Sequence, residues 1–267
     1  MKNILPVLLM LLLASCTPPA KELKKRALEK MDRHDYNGVI EDLNSYIEGN
    51  DKDALAYNNR GLAEDEIGDH ARAKKDFDVA IHLDPNLSMA YYNRGRASHA
   101  LHQYITAVDD YTKALSMDSG NAKIYNNRGC SRYALHDNDG AMADYNRAIA
   151  LDPTDSASYN NRGILEYSLG NYDQAIATFS EALKISPGYS NAYCNRAGAR
   201  QMIKDYDGAL SDFDKALSLD PKSATAYYNR GVLKLTLTAG KEGWESIQKA
   251  ADLGYPSAIE KIKGRKK

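Results

Sequence analysis

The chain has 267 residues, with 35 Lys and Arg against 36 Asp and Glu, three Cys and nineteen Tyr. A net charge of −1 leaves no electrostatic footprint for nucleic acid, and no basic stripe with interleaved aromatics is present. The Tyr content suggests ring stacking on sugars, but six of these residues recur in one repeated block and most others fall at packing positions, which makes them core.

The first element is the N-terminal segment. Lys2 precedes an apolar run from Ile4 to Leu13, too short to span a bilayer and shaped like a secretory signal. The run ends Leu13-Ala14-Ser15-Cys16, which resembles the lipobox of bacterial lipoproteins. The resemblance implies a signal peptide over 1–15 and lipidation of Cys16 by a diacylglyceryl thioether and an N-acyl chain. Several acyl chains, at ~0.8 kcal/mol per buried methylene, anchor far more firmly than one. Thr17 is next, and no acidic residue occurs before Glu22. By analogy with lipoprotein sorting in double-membraned bacteria, this implies the outer membrane, facing the periplasm. The stiff linker over 16–19, at ~3.3 Å per residue, would keep Ala20 and the start of the folded chain within ~20 Å of the lipid.

From residue 20 onward a period of 34 governs the chain. A five-residue block recurs as Tyr57-Asn58-Asn59-Arg60-Gly61, Tyr91 to Gly95, Tyr125 to Gly129, Tyr159 to Gly163, Tyr193 to Ala197 and Tyr227 to Gly231. Twelve residues after each of the first five blocks comes Ala (Ala73, Ala107, Ala141, Ala175, Ala209), and Gly243 stands there after the sixth. Sixteen after it comes a large apolar residue (Phe77, Tyr111, Tyr145, Phe179, Phe213, Ile247). Each period reads as two short helices. Gly68 or Gly170 with the next residue, Asp or Asn, marks the turn between them, and Leu-Asp-Pro stops the second, because a residue before Pro is pushed out of helical geometry.

This pattern resembles the tetratricopeptide repeat, with its aromatic, Ala, aromatic and Pro signature in one 34-residue unit. The resemblance implies an all-α fold, a right-handed superhelical solenoid of about seven helix-turn-helix units: 20–53, 54–87, 88–121, 122–155, 156–189, 190–223 and 224–257. A capping helix and basic tail over 258–267 would close the stack. The sequence departs from the family pattern where Tyr replaces Trp and Arg replaces the Leu before Gly. The residue three after the block is polar (Glu64, Ser98, Arg132, Glu166, Arg200, Lys234).

That Arg has a physical reading. Sixteen residues after it lies Asp in five units, predicting ion pairs Arg26–Asp42, Arg60–Asp76, Arg94–Asp110, Arg128–Asp144 and Arg196–Asp212 across antiparallel hairpins. Thr178 and Ser246 stand at that place in the other two units, leaving Arg162 and Arg230 unpaired or differently paired. The charges Arg132, Glu166 and Arg200 suggest a ladder across repeats. Cys130 and Cys194, two units apart, are expected as free thiols, since stacked repeats hold them ~20 Å from one another.

No catalytic constellation, phosphate loop or metal site emerges, and no cofactor is expected. His99 and His102 are placed on one helix face, and His102 and His136 at equivalent sites, with no third ligand of fixed spacing. The asparagine before each Arg (Asn59, Asn93, Asn127, Asn161, Asn195, Asn229) recurs in every block, favouring a bond between neighbouring repeats. Relatives that clamp chaperone tails use an Asn there with basic residues. Here Lys24 and Asn59 fit two places, but Met89 and Asn93 occupy the next two.

In the family the first helix of each unit lines a concave groove. One helical stripe there offers Met89, Tyr92, Arg96, His99, Lys123, Asn126, Tyr133, Asn160, Tyr167 and Tyr228 as candidate partner-binding residues, with Asn59 added from the clamp position. Aromatic, Met and Arg side chains are those that protein interfaces enrich. The expected function is a non-enzymatic, membrane-anchored envelope scaffold that binds protein partners. The alternatives are groove binding of a cell-wall glycan or peptide ligand, and service as an accessory subunit of an outer-membrane or secretion machine.

Overall fold

The structure is a computed structural model that describes residues 18–238 and 240–265. Cys16 and the segment before it lie outside the described residues. The fold is all-α: fifteen helices and no strand among the described residues. Seven hairpins are formed by α1 (Ala20–Asp32) with α2 (Tyr36–Ile47), α3 (Ala54–Glu66) with α4 (His70–Leu83), and α5 (Ser88–Ala100) with α6 (Tyr104–Met117). They continue as α7 (Ala122–Ala134) with α8 (Asn138–Leu151), α9 (Ser156–Ser168) with α10 (Tyr172–Ile185), α11 (Ser190–Met202) with α12 (Tyr206–Leu219), and α13 (Ala224–Thr238) with α14 (Lys241–Asp252). A last helix, α15, spans Pro256–Arg265.

Local chemistry sets these boundaries. Asp35, Asp69, Asp137 and Asp205 cap the even-numbered helices, each side chain accepting from a backbone N–H three residues on. Asp84, Asp152 and Asp220 end them in extended geometry and accept from the N–H two residues later. The turn inside each of the first six hairpins uses a left-handed residue. Gly68 and Gly170 supply it with φ of 86° and 81°, whereas His34, His102, His136 and Lys204 adopt it with φ of 59° to 64°.

Within each hairpin one close approach sets the packing. Gly61, Gly95, Gly129 and Gly163 face the rings of Phe77, Tyr111, Tyr145 and Phe179, and a Cβ on any of them would sit 2.6–2.8 Å from ring carbon. These rings are fully buried, and burying each stabilises by about 2–3 kcal/mol. In the sixth hairpin Ala197 takes the glycine's place opposite Phe213.

The described chain divides at Gly120 into two compact units, one holding α1–α6 and the other α7–α15. In the first, α2 packs on α3 and α4 on α5. In the second, α8 packs on α9, α10 on α11 and α12 on α13. Odd-numbered helices also touch: α3 meets α5, and α7, α9, α11 and α13 meet in succession. Each unit therefore presents a face of odd-numbered helices. The final helix begins two residues before the expected 258, because Pro256 suits a first helical turn. Its Ala258 is buried with Ile247 and Ala250, and Ile262 packs beside them.

Candidate partner-binding face

The repeated block is a clasp. In four hairpins the Arg donates from Nε and Nη2 to both oxygens of the Asp on the facing helix, at 2.6–3.0 Å. Arg26 reaches Asp42 with Nη2 alone, at 2.8 Å. The remaining nitrogen, Nη1, points back to the preceding hairpin: Arg60 to Asn44 at 2.8 Å, Arg94 to Asp78 at 2.6 Å, Arg162 to Asn146 at 3.1 Å and Arg196 to Ser180 at 2.9 Å. One guanidinium thus joins two helices of its own unit and a third of its neighbour, a planar fork that Lys cannot imitate.

In three hairpins the basic residue one helical turn beyond the Arg completes the clasp. Lys30 lies 2.8 Å from Asp42, and Arg132 and Arg200 lie 2.9 Å from Asp144 and Asp212, so each Asp holds two cations. The ladder expected from Arg132 to Glu166 to Arg200 is therefore not formed. Where Thr178 replaces the Asp, Glu166 brings the carboxylate from the first helix and lies 3.4 Å from Arg162 Nε. Glu166 is 1% exposed. Burial pushes its pKa up, opposed by the Thr178 hydroxyl and the Arg162 charge.

A ladder does cross repeats, built from amides. Asn93 donates to Asn58 at 3.0 Å, Asn161 to Asn126 at 3.0 Å and Asn195 to Asn160 at 2.9 Å. The second residue of one block accepts from the third residue of the next. These bonds occupy the Asn126 and Asn160 oxygens, and Asn160 is buried.

On the first unit's face, Met89 is half exposed, its sulfur 3.6 Å from the Asn58 amide, while Asn59 is half-buried. Tyr92 tilts against Tyr111 with ring centroids 6.0 Å apart. Arg96 is paired with Asp65 at 3.3 Å and Glu66 at 3.1 Å. His99 stacks edge-on to Tyr104 at 5.2 Å, and burial, aided by His102, holds its pKa below the usual imidazole value. His102 lies past the end of α5 in the left-handed turn and does not share a helix face with His99. Lys24 is taken by Asp53.

On the second unit's face, Lys123 is exposed and Tyr133 is half-buried beside Tyr145 and Leu165. Tyr167 is exposed and edge-on to Tyr172 at 5.4 Å, and Tyr228 lies 4.8 Å from Tyr255. A cavity of about 290 Å³ opens here, lined by Ile164, Tyr167, Phe179, Cys194, Asn195, Gly198 and Asn229. Its cause is Gly198, which stands where other blocks are followed by Leu62, Cys130, Ile164 or Val232. A Cβ there would meet nothing closer than Tyr167 at 4.0 Å. The amide ladder also changes at this point, because Cys194 stands where an Asn would accept from Asn229. Gly198, Asn195 and Asn229 were not among the sequence candidates; the signal for Gly198 was a lone Gly at a site otherwise filled.

Cys130 and Cys194 are free thiols. Burial pushes the Cys194 thiol up to about 11. Among the described residues no group of three or more His, Cys, Asp and Glu is arranged to hold a metal ion, and no helix is long and apolar enough to cross a membrane.

Stacked hairpins with a periodic close glycine define a helical-repeat protein of the interaction-scaffold class. Tetratricopeptide-repeat models match residues 54–87, 77–109, 126–190 and 203–237, and between them span more than half the chain. The chain belongs to the tetratricopeptide-repeat family. Among solved structures it resembles a chain of the APC/C hetero-tetramer Cut9–Hcn1, with TM-score 0.75 and 16% identity over 89% of this chain. It spans only 47% of that chain. It also resembles YrrB, described as a TPR protein with an unusual peptide-binding site, with TM-score 0.55 and 25% identity over 70% of this chain and 97% of that one. A tetratricopeptide protein from Parabacteroides merdae aligns with TM-score 0.73 and 20% identity over 91% of this chain and 96% of that one. No curated protein matches.

Proposed function

We propose that this chain is a non-enzymatic scaffold of a bacterial envelope, lipid-anchored through Cys16, that holds an extended segment of a partner protein on the odd-helix face of its second unit. The observation that carries this reading is the Gly198 cavity. It combines an apolar floor of Ile164 and Phe179 with the side-chain amides of Asn195 and Asn229. Asn195 already donates to Asn160, so its oxygen is left to accept, while Asn229 has no ladder acceptor at Cys194. One donor and one acceptor beside an apolar recess suit a peptide group with an aliphatic side chain. No charged side chain lines the recess, which favours a neutral stretch of the partner. Tyr167 flanks it, and Lys123, Tyr133 and Tyr228 extend the candidate contacts over the second unit's face, while Met89 and Tyr92 are candidate contacts on the first unit's own face. The 25% identity with YrrB, whose description includes a peptide-binding site, supports the same reading.

Photo-crosslinking from position 167 in intact cells tests it. The expected result is an adduct with one envelope protein, lost when Gly198→Leu fills the recess, and membrane release of the Cys16→Ala variant. Recovery of a glycan fragment with no protein adduct would sink the proposal.

A further inference from the structure

The last hairpin lacks the carboxylate around which the others are built. Arg128 and Arg132 converge on Asp144, and Arg196 and Arg200 on Asp212. In the α13–α14 hairpin the same two places hold cations, Arg230 and Lys234, but the facing residue is Ser246. The carboxylate is not restored from the first helix either, because Lys234 stands where Glu166 serves Arg162.

The consequences are visible at the Arg. Arg230 Nη1 reaches Asp214 at 2.5 Å and Nη2 donates to the Ser246 hydroxyl at 3.1 Å. That hydroxyl donates in turn to the Glu242 carbonyl at 3.1 Å. Arg230 Nε, which in four other hairpins donates to a carboxylate oxygen, is buried with no partner. Lys234 is held by Glu242 at 2.8 Å, a rim residue whose side chain is 77% exposed. Beside them lies an open cavity of about 360 Å³ lined by Tyr227, Arg230, Lys234, Glu242, Glu245 and Ser246.

We propose that this cavity is a binding site for a carboxylate brought from outside the chain. The ligand displaces the Ser246 hydroxyl from Nη2 and so uncovers the buried Nε; its two oxygens then take the places of the Asp oxygens, one accepting from Nε and the other from Nη2, with Lys234 turning from Glu242 as its second cation. The chain itself provides the template, since Asp144 and Asp212 hold that arrangement in the fourth and sixth hairpins. The volume exceeds what one carboxylate fills, leaving room for the body that carries it. Glu242 and Glu245 at the rim repel multiply charged anions, so a singly charged planar carboxylate is preferred over phosphate. The carboxylate could belong to a partner's acidic side chain or C-terminus, or to a small organic acid. The site lies between α13 and α14 and shares no lining residue with the recess at Gly198, so it stands or falls separately from it.

The test follows the Arg230 Nε–H resonance by ¹⁵N NMR during titration with sodium acetate, exchanged against sodium chloride at fixed ionic strength. The expected result is a saturable shift of that resonance, absent with chloride. Ser246→Asp, which supplies the carboxylate internally, should abolish the shift and raise the melting temperature. Lys234→Met should weaken acetate binding several-fold while the Nε–H still responds. A short peptide with a free C-terminus, compared with its C-terminal amide, separates the sources. Saturation at least tenfold below acetate assigns the site to a partner's carboxylate, and saturation equal to acetate assigns it to small acids. No saturable shift in the wild type, an undiminished shift in Ser246→Asp, or equal binding of the amide would overturn the proposal.

Discussion

Glu166 lies 3.4 Å from Arg162 Nε on the same helix, whereas five other hairpins bring that carboxylate from the facing helix. The fifth hairpin keeps the ion pair by exchanging positions: acid at 166 and hydroxyl at 178, where the fourth and sixth have Arg and Asp. Glu166→Arg should therefore cost about 3 kcal/mol, since it leaves two cations with no carboxylate between them. Adding Thr178→Asp restores the arrangement of the neighbouring hairpins and should bring stability back to within about 1 kcal/mol of the wild type. Urea denaturation of both single variants and the double variant measures the coupling.

In the second hairpin the charge balance tips the other way. Glu64 is nearly buried, and its pKa is raised to about 7, first by burial and then by Asp76. Asp69 adds to the rise, while Arg60 and Arg72 oppose it. A carboxyl raised on folding favours the native state while it is protonated. That contribution is complete below its ordinary 4.5 and is lost as pH climbs through about 7. Glu64→Gln, which mimics the protonated acid, should stabilise the protein by about 2 kcal/mol at pH 8 and by almost nothing at pH 4. Melting temperatures across that range check this; a pH-independent difference refutes it.

The hairpin turns carry a backbone cost that substitution can relieve. Lys204 holds φ of 64° where Gly68 and Gly170 hold 86° and 81°. Lys204→Gly should gain about 0.5–1 kcal/mol, the left-handed penalty less the entropy that Gly loses on folding. Gly170→Ala should lose about 1 kcal/mol, although nothing lies near its Cβ. Chemical denaturation curves of the two variants should shift in opposite directions.

Completing the amide ladder should trade binding for stability. Cys194→Asn places an acceptor where Asn229 lacks one, for a gain of about 1 kcal/mol. The same change fills part of the recess beside Gly198, so partner capture in the crosslinking assay should fall.

The thiol of Cys194 should be slow to react. With its pKa pushed up to about 11, alkylation by iodoacetamide at pH 8 should run roughly 100-fold slower than that of an unperturbed cysteine. Mass spectrometry over a pH series would show the rate rising toward pH 11.

Much of the fold was legible in the repeat. The block places Arg sixteen residues before Asp, and a hairpin of two short helices makes that spacing a contact, so Arg60–Asp76 and its counterparts come from register alone. Arg132 was harder. Four residues beyond Arg128 it shares a helical stripe, but the spacing does not say whether that stripe turns toward its own hairpin or the next. Packing decided for its own: Arg132 meets Asp144, and the cross-repeat ladder passes to amides one helical step away, from Asn161 to Asn126. His102 is a similar case: α5 ends at Ala100, so His102 falls in the turn and off the face of His99, while His102 and His136 do take equivalent places.

Periodicity by itself determined the all-α hairpin architecture, the buried rings and the clasp, because these obey spacings that recur with every 34 residues. The tertiary structure alone decided what happens where the period is broken. Gly198 becomes a recess only because α9, α11 and α13 come together around it, and Ser246 leaves an open cradle only because Arg230 and Lys234 face it from the adjoining helix. A missing side chain has no signature of its own along the chain. Its effect depends on which neighbours fail to fill the space, and that is settled by packing.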